Sequence, residues 1–269
     1  MIWPEGLKGS ELFRYLKANK SAIIDMKKSV IKHADAVLLS VTEEPPRSIS
    51  KSAYLFSNDE PNGVLKRTII ANTYNWLDSH DDVHQNNLFA KSIKDKANKM
   101  QPHLHDHIFQ MDAKVGIPIS WSEKAIPWTD LGVNIAGQTM SLFLESQIMK
   151  ELNKQVYKDY LAGRVDQHSV GMQYVKLDMA INDADYSDEY KIWQSTFDKL
   201  GNPEKAIEQG YYFSVSEAKL IEGSAVLLGS NELTPTLGQK FEPGKPTHKE
   251  QPPKALNISE LVKSYYKLT

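Results

Sequence analysis

Three residues of the types used by serine hydrolases lie far apart in this chain. Ser169 lies in the stretch His-Ser-Val-Gly-Met at 168–172. A histidine-rich stretch lies upstream at 103–107, and Glu222 lies downstream in an apolar segment. A hydroxyl nucleophile, an imidazole base and a carboxylate that orients the base are the three parts of a catalytic triad. The set therefore predicts acyl-transfer chemistry, with the residues in the order histidine, serine, acid.

The strand predicted around Ser169 decides which neighbours can serve it. Side chains alternate between the two faces of a strand, so Ser169 and Gly171 share one face while His168 points to the other. His168 is therefore a poor base for Ser169 although it is adjacent. Gly171 is expected to leave room for a substrate backbone beside the nucleophile.

The histidines allow two interpretations. His103, His105 and His107 alternate, so a strand would place all three on one face, about 6.7 Å apart. That spacing suits one catalytic base with neighbours, and it also suits zinc. His80 and His84 extend the metal alternative, because residues four apart share a face of a helix. The segment that contains these two reads better as a loop, and exposed histidines on a strand are a further alternative.

Glu222 is predicted to lie on a strand among apolar neighbours. A buried carboxylate is costly unless a partner compensates its charge. An imidazole N–H would meet that need and would also fix the tautomer of the base. The alternative is a surface-facing carboxylate at a strand edge, without a partner.

Composition narrows the class of protein. The chain has 269 residues, 41% of them hydrophobic and 25% charged, as in ordinary globular proteins. A formal charge of −2 gives no electrostatic reason to expect nucleic acid or an anionic membrane as a partner. The absence of cysteine excludes disulfides, thiolate catalysis and cysteine-ligated zinc. Neither a signal peptide nor an apolar run long enough to span a membrane is apparent, so a soluble intracellular protein is expected.

Apolar periodicity and turn residues predict an α+β chain. Helices are predicted at 10–36, at 139–161 and within a polar insertion at 183–210. Strands are predicted at 63–73, from 116, at 165–176 and at 213–228. A Pro-, Gly- and Lys-rich tract at 234–254 is expected to be mobile, and a short helix is predicted at 258–266.

Four ordered groups of motifs resemble one protein family. They comprise residues 70–83 with 88–93, 105–107 with 115–118, 168–172, and 220–226 with 229–231. Together they resemble the prohead (capsid maturation) proteases of tailed bacteriophages, serine peptidases whose fold is related to herpesvirus assemblin. The likeness covers roughly residues 50–235. Met172 departs from it, standing where the family's Ser-x-Gly motif usually has an aromatic residue, and so do the three histidines where one is expected.

The resemblance implies a fold and a set of roles. The fold would be a small barrel-like, mostly antiparallel sheet surrounded by helices, spanning 46–233. An amphipathic helical extension would precede it at 1–45, and a flexible tail with a short helix would follow at 234–269. Ser169 would be the nucleophile, His107 the base, with His105 as the alternative, and Glu222 the acid. Arg164 is a candidate helper of the backbone N–H groups that would stabilise the oxyanion.

The resemblance also implies partners and a place of action. The substrates would be the phage major capsid protein and scaffold, and the chain would cut itself within 234–254. It would act inside the procapsid in the host cytoplasm, as a homo-oligomer, without a cofactor or metal and without contact with nucleic acid or membrane. Two alternatives stay open: a metal-dependent hydrolase using His80, His84 and the histidines of 103–107, and a non-catalytic capsid-assembly or scaffold component.

Overall fold

The computed structural model describes residues 6–31, 62–96 and 99–237. Its α-helices are α1 Gly9–Ala18, α2 Lys20–Ser29, α3 Ala90–Asp95, α4 Lys154–Leu161, α5 Ser187–Thr196 and α6 Pro203–Gln209. Its strands are β1 Val64–Thr73, β2 Asp82–His84, β3 His103–His105, β4 Lys114–Pro127, β5 Gln138–Met149, β6 His168–Ile181 and β7 Tyr211–Ala225. Among these described residues, no helix is long and apolar enough to cross a membrane.

The strands form one seven-stranded sheet flanked by helices, which confirms the predicted α+β class. The order is β1-β5-β4-β3-β7-β2, and β6 also pairs with β7. Most pairs are antiparallel, but β2 and β3 run parallel to β7. β6 pairs with β7 along most of its length, so β3 and β2 occupy opposite ends of the other edge of β7. The sheet is not closed within the described residues.

The segment 139–161, predicted to be one helix, is instead β5 followed by α4. β5 lies between β1 and β4 and pairs with both. Leu142 and Leu144 pack into one core cluster and Phe143 into another, so both faces of β5 are buried. Its apolar residues therefore run nearly continuously and match helical spacing as well as strand spacing. α4 begins only after Asn153, whose side chain accepts a hydrogen bond from the Val156 N–H and caps the helix.

The amino-terminal helix is divided at Asn19 and is attached to the rest of the fold. α2 packs on β6, and the buried Lys27 ammonium donates to Asp82 Oδ1 over 2.6 Å. Lys17 and Lys20 both pair with the buried Glu189 of α5. These ion pairs, of which only Lys27–Asp82 is buried on both sides, attach α1 and α2 to the domain. The predicted boundary near residue 45 lies outside the described residues.

Residues 234–237, predicted to be the start of a mobile tail, are instead bonded to the sheet. Thr234 and Thr236 are buried, and the backbone of 235–237 bonds to β1, with Ile70 N–H donating to Pro235 O over 3.0 Å. The Thr234 hydroxyl donates to His168 O over 2.7 Å, so this segment links β1 with the start of β6. The remainder of the predicted tail and its terminal helix lie outside the described residues.

Candidate active site

Strand β7 is the common partner that aligns the elements of the site. Its last residues pair with β3 on one edge and with β6 on the other. In this register Ser169 lies directly opposite Ser224, and Gly171 lies directly opposite Glu222. Residues paired across neighbouring strands project from the same face. Ser169, Gly171, Ser224 and Glu222 therefore share one face of the sheet, as strand alternation predicts for the first two.

A tight turn brings His107 to this face. β3 ends at His105, and the Ile108 N–H donates to His105 O over 3.1 Å. Asp106 and His107 between them have φ values of 51° and 57°, the left-handed region that non-glycine residues rarely adopt. The prediction that all three histidines share one face of a strand is therefore wrong, because the strand ends before His107.

His107 and Glu222 form a short, buried pair. His107 Nδ1 lies 2.6 Å from Glu222 Oε1, and the two side chains are 7% and 0% exposed. An ionised carboxylate only accepts, so Nδ1 donates and, in the neutral ring, Nε2 carries the lone pair. This is the tautomer that a general base bonded to an orienting acid requires.

Ser224 contacts both members of this pair. Its hydroxyl donates to Glu222 Oε2 over 2.7 Å, and its oxygen accepts the backbone N–H of His107 over 3.2 Å. Sequence reasoning did not assign a role to Ser224. The available signal was its position two residues after Glu222, which places it on the same face of the strand.

Ser169 lies on β6, one strand away from Glu222 and Ser224, and is 7% exposed. Within the part of the chain that the structure describes, its hydroxyl makes no hydrogen bond. In unliganded enzymes the hydrogen bond between nucleophile and base is often long and tightens only when substrate binds. The three predicted triad residues are thus brought to one region of the sheet, with the acid–base pair already formed.

The alternative base, His105, is placed differently. It pairs with Ala225, which in turn lies opposite His168. It therefore belongs to the face opposite that of Ser169, and its Nδ1 bonds to Asp106 Oδ2 over 3.0 Å. The geometry favours His107 over His105.

The space beside Gly171 is occupied by the acid. A Cβ at this position would lie 2.9 Å from Glu222 Cδ and closer still to Oε1. Glycine is thus required here so that the carboxylate can lie across β6. This differs from the expectation that Gly171 makes room for a substrate backbone.

Arg164 does not point at the nucleophile. Its Nε donates to Asp159 Oδ1 over 2.9 Å, at the exposed end of α4. The predicted help to an oxyanion from this side chain therefore has no support in the structure.

The other histidines do not gather into one metal site. His84 bonds to Asn72 and to Tyr174, and both ring nitrogens of His103 are also engaged by hydroxyl groups. Among the described residues, only Asp78, His80 and Asp82 bring three potential ligand atoms within 4.8 Å of one another. The ammonium of Lys27 already lies against this group, donating to Asp82 Oδ1 and to His80 O.

A buried chain of hydrogen bonds runs on the opposite face, beneath the nucleophile. His168 Nδ1 donates to Thr234 O over 2.9 Å, so its Nε2 accepts from the Tyr160 hydroxyl at 2.9 Å. The Tyr160 oxygen then accepts from His103 Nε2 at 3.3 Å, and His103 Nδ1 accepts from the Ser146 hydroxyl at 3.0 Å. Burial lowers the pKa of His103 to about 3 and that of His168 to about 4. Both rings are therefore neutral at pH 7.

These two pKa values predict an acid-sensitive fold. In the unfolded chain both histidines bind a proton below about pH 6.5, but in the folded chain they bind one only near pH 3 to 4. The contribution of these two rings to stability is therefore nearly constant above pH 7 and falls as the pH is lowered from there towards 4. Between pH 7 and pH 5 each ring is expected to cost about 2 kcal/mol. Urea unfolding of the native chain at both pH values measures this. The control is His105→Gln, which removes a partly exposed histidine and should leave the loss of stability at pH 5 unchanged. Equal stability at pH 7 and pH 5 would contradict the prediction.

Exposed apolar side chains lie in the two chain segments that follow His107 and β7. Ile108, Phe109 and Met111 follow His107 in the chain, and Leu227 and Leu228 follow β7. The first segment begins just after His105 and the second just after Ala225. These two residues are paired with each other, and Ala225 is paired with His168, the residue before Ser169. Exposed apolar side chains thus follow both strand ends that carry the candidate site.

Comparison of this chain with protein-family profiles, with curated proteins and with solved structures finds no match.

Proposed function

We propose that this chain is a serine endopeptidase. The observation that supports this most strongly is the buried His107–Glu222 pair, whose carboxylate lies on the same sheet face as Ser169 and one strand away from it. Histidine with a bonded acid is the combination that turns a serine hydroxyl into a nucleophile. No other cluster among the described residues combines a nucleophile, a base and an orienting acid in this way.

The mechanism follows from the tautomer of His107. Ser169 Oγ attacks the scissile carbonyl carbon while its proton passes to His107 Nε2, and Glu222 stabilises the imidazolium. The proton then passes to the leaving amine as the C–N bond breaks, leaving an acyl ester on Ser169. Water, deprotonated by the same imidazole, hydrolyses this ester and restores the serine hydroxyl.

The substrate is inferred to be a polypeptide with bulky apolar residues near the cleaved bond. The exposed side chains of 108–111 and 227–228 follow the strand ends that carry the site, and an apolar segment of substrate would cover them. A small polar substrate would gain nothing from this surface. These apolar side chains therefore favour an endopeptidase over a hydrolase of small metabolites.

The motif resemblance supports a more specific biological role. In this proposal the chain matures phage capsid and scaffold proteins inside the procapsid, as a homo-oligomer, and also cleaves itself in the part of 234–254 that follows residue 237. The same proposal includes a barrel-like sheet in this chain, as in that family. The segment 234–237 supports it, because it lies between β1 and the start of β6, where a barrel would close.

Active-site labelling tests the chemistry without knowledge of the substrate. The purified chain is treated with a fluorophosphonate probe, and the modified peptide is identified by mass spectrometry. A single adduct on Ser169, lost in His107→Ala but retained in His105→Ala, is the expected result. An adduct on another serine, or no adduct, would overturn the assignment of Ser169.

Co-expression with a phage capsid protein then tests the biological role. Intact-mass measurement should reveal discrete truncations that disappear in Ser169→Ala. Labelling of Ser169 without any such truncation would retain the hydrolase and reject the maturation role. Absence of both would favour a non-catalytic assembly component.

A further inference from the structure

We propose that Ser224 is a positioning residue of this site, holding both the acid and the base in their working geometry. The inference rests on the proposed serine peptidase function. Ser224 is 1% exposed and is directly opposite Ser169 on the neighbouring strand. Its hydroxyl donates its proton to Glu222 in a hydrogen bond, so we do not assign Ser224 as a nucleophile.

The first task of Ser224 is to fix the carboxylate of Glu222. Oε1 of that carboxylate bonds to His107, while Oε2 accepts the Ser224 hydroxyl over 2.7 Å. With both oxygens bonded, the carboxylate plane cannot rotate without losing a buried hydrogen bond. Without the hydroxyl, Oε2 would be buried and lack this partner, which favours rotation of the group away from His107.

The second task is to hold the backbone of His107. This residue has a left-handed conformation that a histidine adopts rarely, and such conformations persist only where the surroundings fix them. The bond from His107 N–H to Ser224 Oγ, 3.2 Å long, is one such restraint. One hydroxyl thereby connects the base to the acid through a route other than their direct bond.

A matched pair of variants isolates the hydroxyl. Ser224→Thr and Ser224→Val introduce side chains of nearly the same shape, but only threonine keeps the hydroxyl. We expect Ser224→Val to lower kcat about 10- to 100-fold below Ser224→Thr, because a hydrogen bond to a charged group is lost. KM should differ less than about 2-fold between the two, since Ser224 is buried and does not reach substrate. Equal kcat in both variants would overturn the proposal.

A spectroscopic readout separates positioning from catalysis. ¹⁵N chemical shifts report which ring nitrogen of His107 carries the proton, and they can be measured in the inactive Ser169→Ala background. We expect the Nδ1–H form to dominate with serine or threonine at 224, and a mixture of both tautomers with valine. An unchanged tautomer in Ser224→Val would contradict the positioning role.

The two measurements fail in distinguishable ways. If the native chain cleaves no peptide and Ser169 takes no label, the proposed function fails, yet the tautomer of His107 still tests the role of Ser224. If the native chain is active and Ser224→Val matches Ser224→Thr in both kcat and tautomer, only the present inference fails. Melting temperatures of the two variants show whether each has folded.

Discussion

Alanine in place of either His107 or Ser169 is expected to lower kcat for peptide cleavage by about 10⁶-fold. His107, bonded to Glu222, is the proposed base, and without it the hydroxyl of Ser169 would stay protonated. The effects of the two substitutions are not expected to add, because nucleophile and base act as one unit. Steady-state cleavage of a peptide with apolar residues beside the scissile bond measures this, alongside the doubly substituted chain.

His105→Ala is the matched control for this prediction. It removes an imidazole only two residues away, on the opposite face of the sheet, where it bonds to Asp106. Activity should remain within a few-fold of the native chain. A large loss in His105→Ala combined with a small loss in His107→Ala would reverse the assignment of the base.

Alanine at Gly171 is expected to lower kcat by about 10²- to 10⁴-fold, although this residue carries no reactive group. The added methyl group would occupy the space of the Glu222 carboxylate, which must then move away from His107. Loss of the orienting acid in a serine protease costs about 10⁴-fold, which sets the upper bound. Crowding of a closely packed position also costs about 1–3 kcal/mol of stability.

Gly223→Ala separates these two effects. Its Cβ would lie 2.6 Å from a ring carbon of Trp121, so it also crowds the core, but on the face away from Glu222. Both variants should unfold at lower urea concentration, yet only Gly171→Ala should lose most of its kcat. If the two lose activity in proportion to their stability, the proposed displacement of Glu222 is wrong.

The residue pairs within one strand, Ser169 with Gly171 and Glu222 with Ser224, illustrate what the sequence can predict. Strand alternation is a local rule, and it correctly places Ser169 beside Gly171 and Glu222 beside Ser224. The position of His107 depends instead on where β3 ends. Two consecutive left-handed residues, Asp106 and His107, make the turn that ends it. Both are types that adopt this conformation more often than other non-glycine residues, but the local sequence does not show that both do so here.

Other differences have tertiary causes. The helix predicted over β5 is wrong because both faces of this strand are buried, Leu142 and Leu144 in one core cluster and Phe143 in another, and the local pattern does not reveal this. The segment 234–237 was predicted to be mobile from its composition, yet its backbone finds partners on β1. The occupied space at Gly171 likewise depends on register, which is set by the pairing of β6 with β7.

β7 is synthesised after β3 and β6, and this order determines when the proposed catalytic residues can be aligned. β3 and β6 each pair with β7, and only through it are His107 and Ser169 aligned. Translation proceeds from the amino terminus at about 5–20 residues per second, so β7 leaves the ribosome after both. A nascent chain that ends before Tyr211 holds the histidine and the serine without the strand that aligns them. We expect such a chain to be inert, so that neighbouring nascent proteins are not cut while this one is being made.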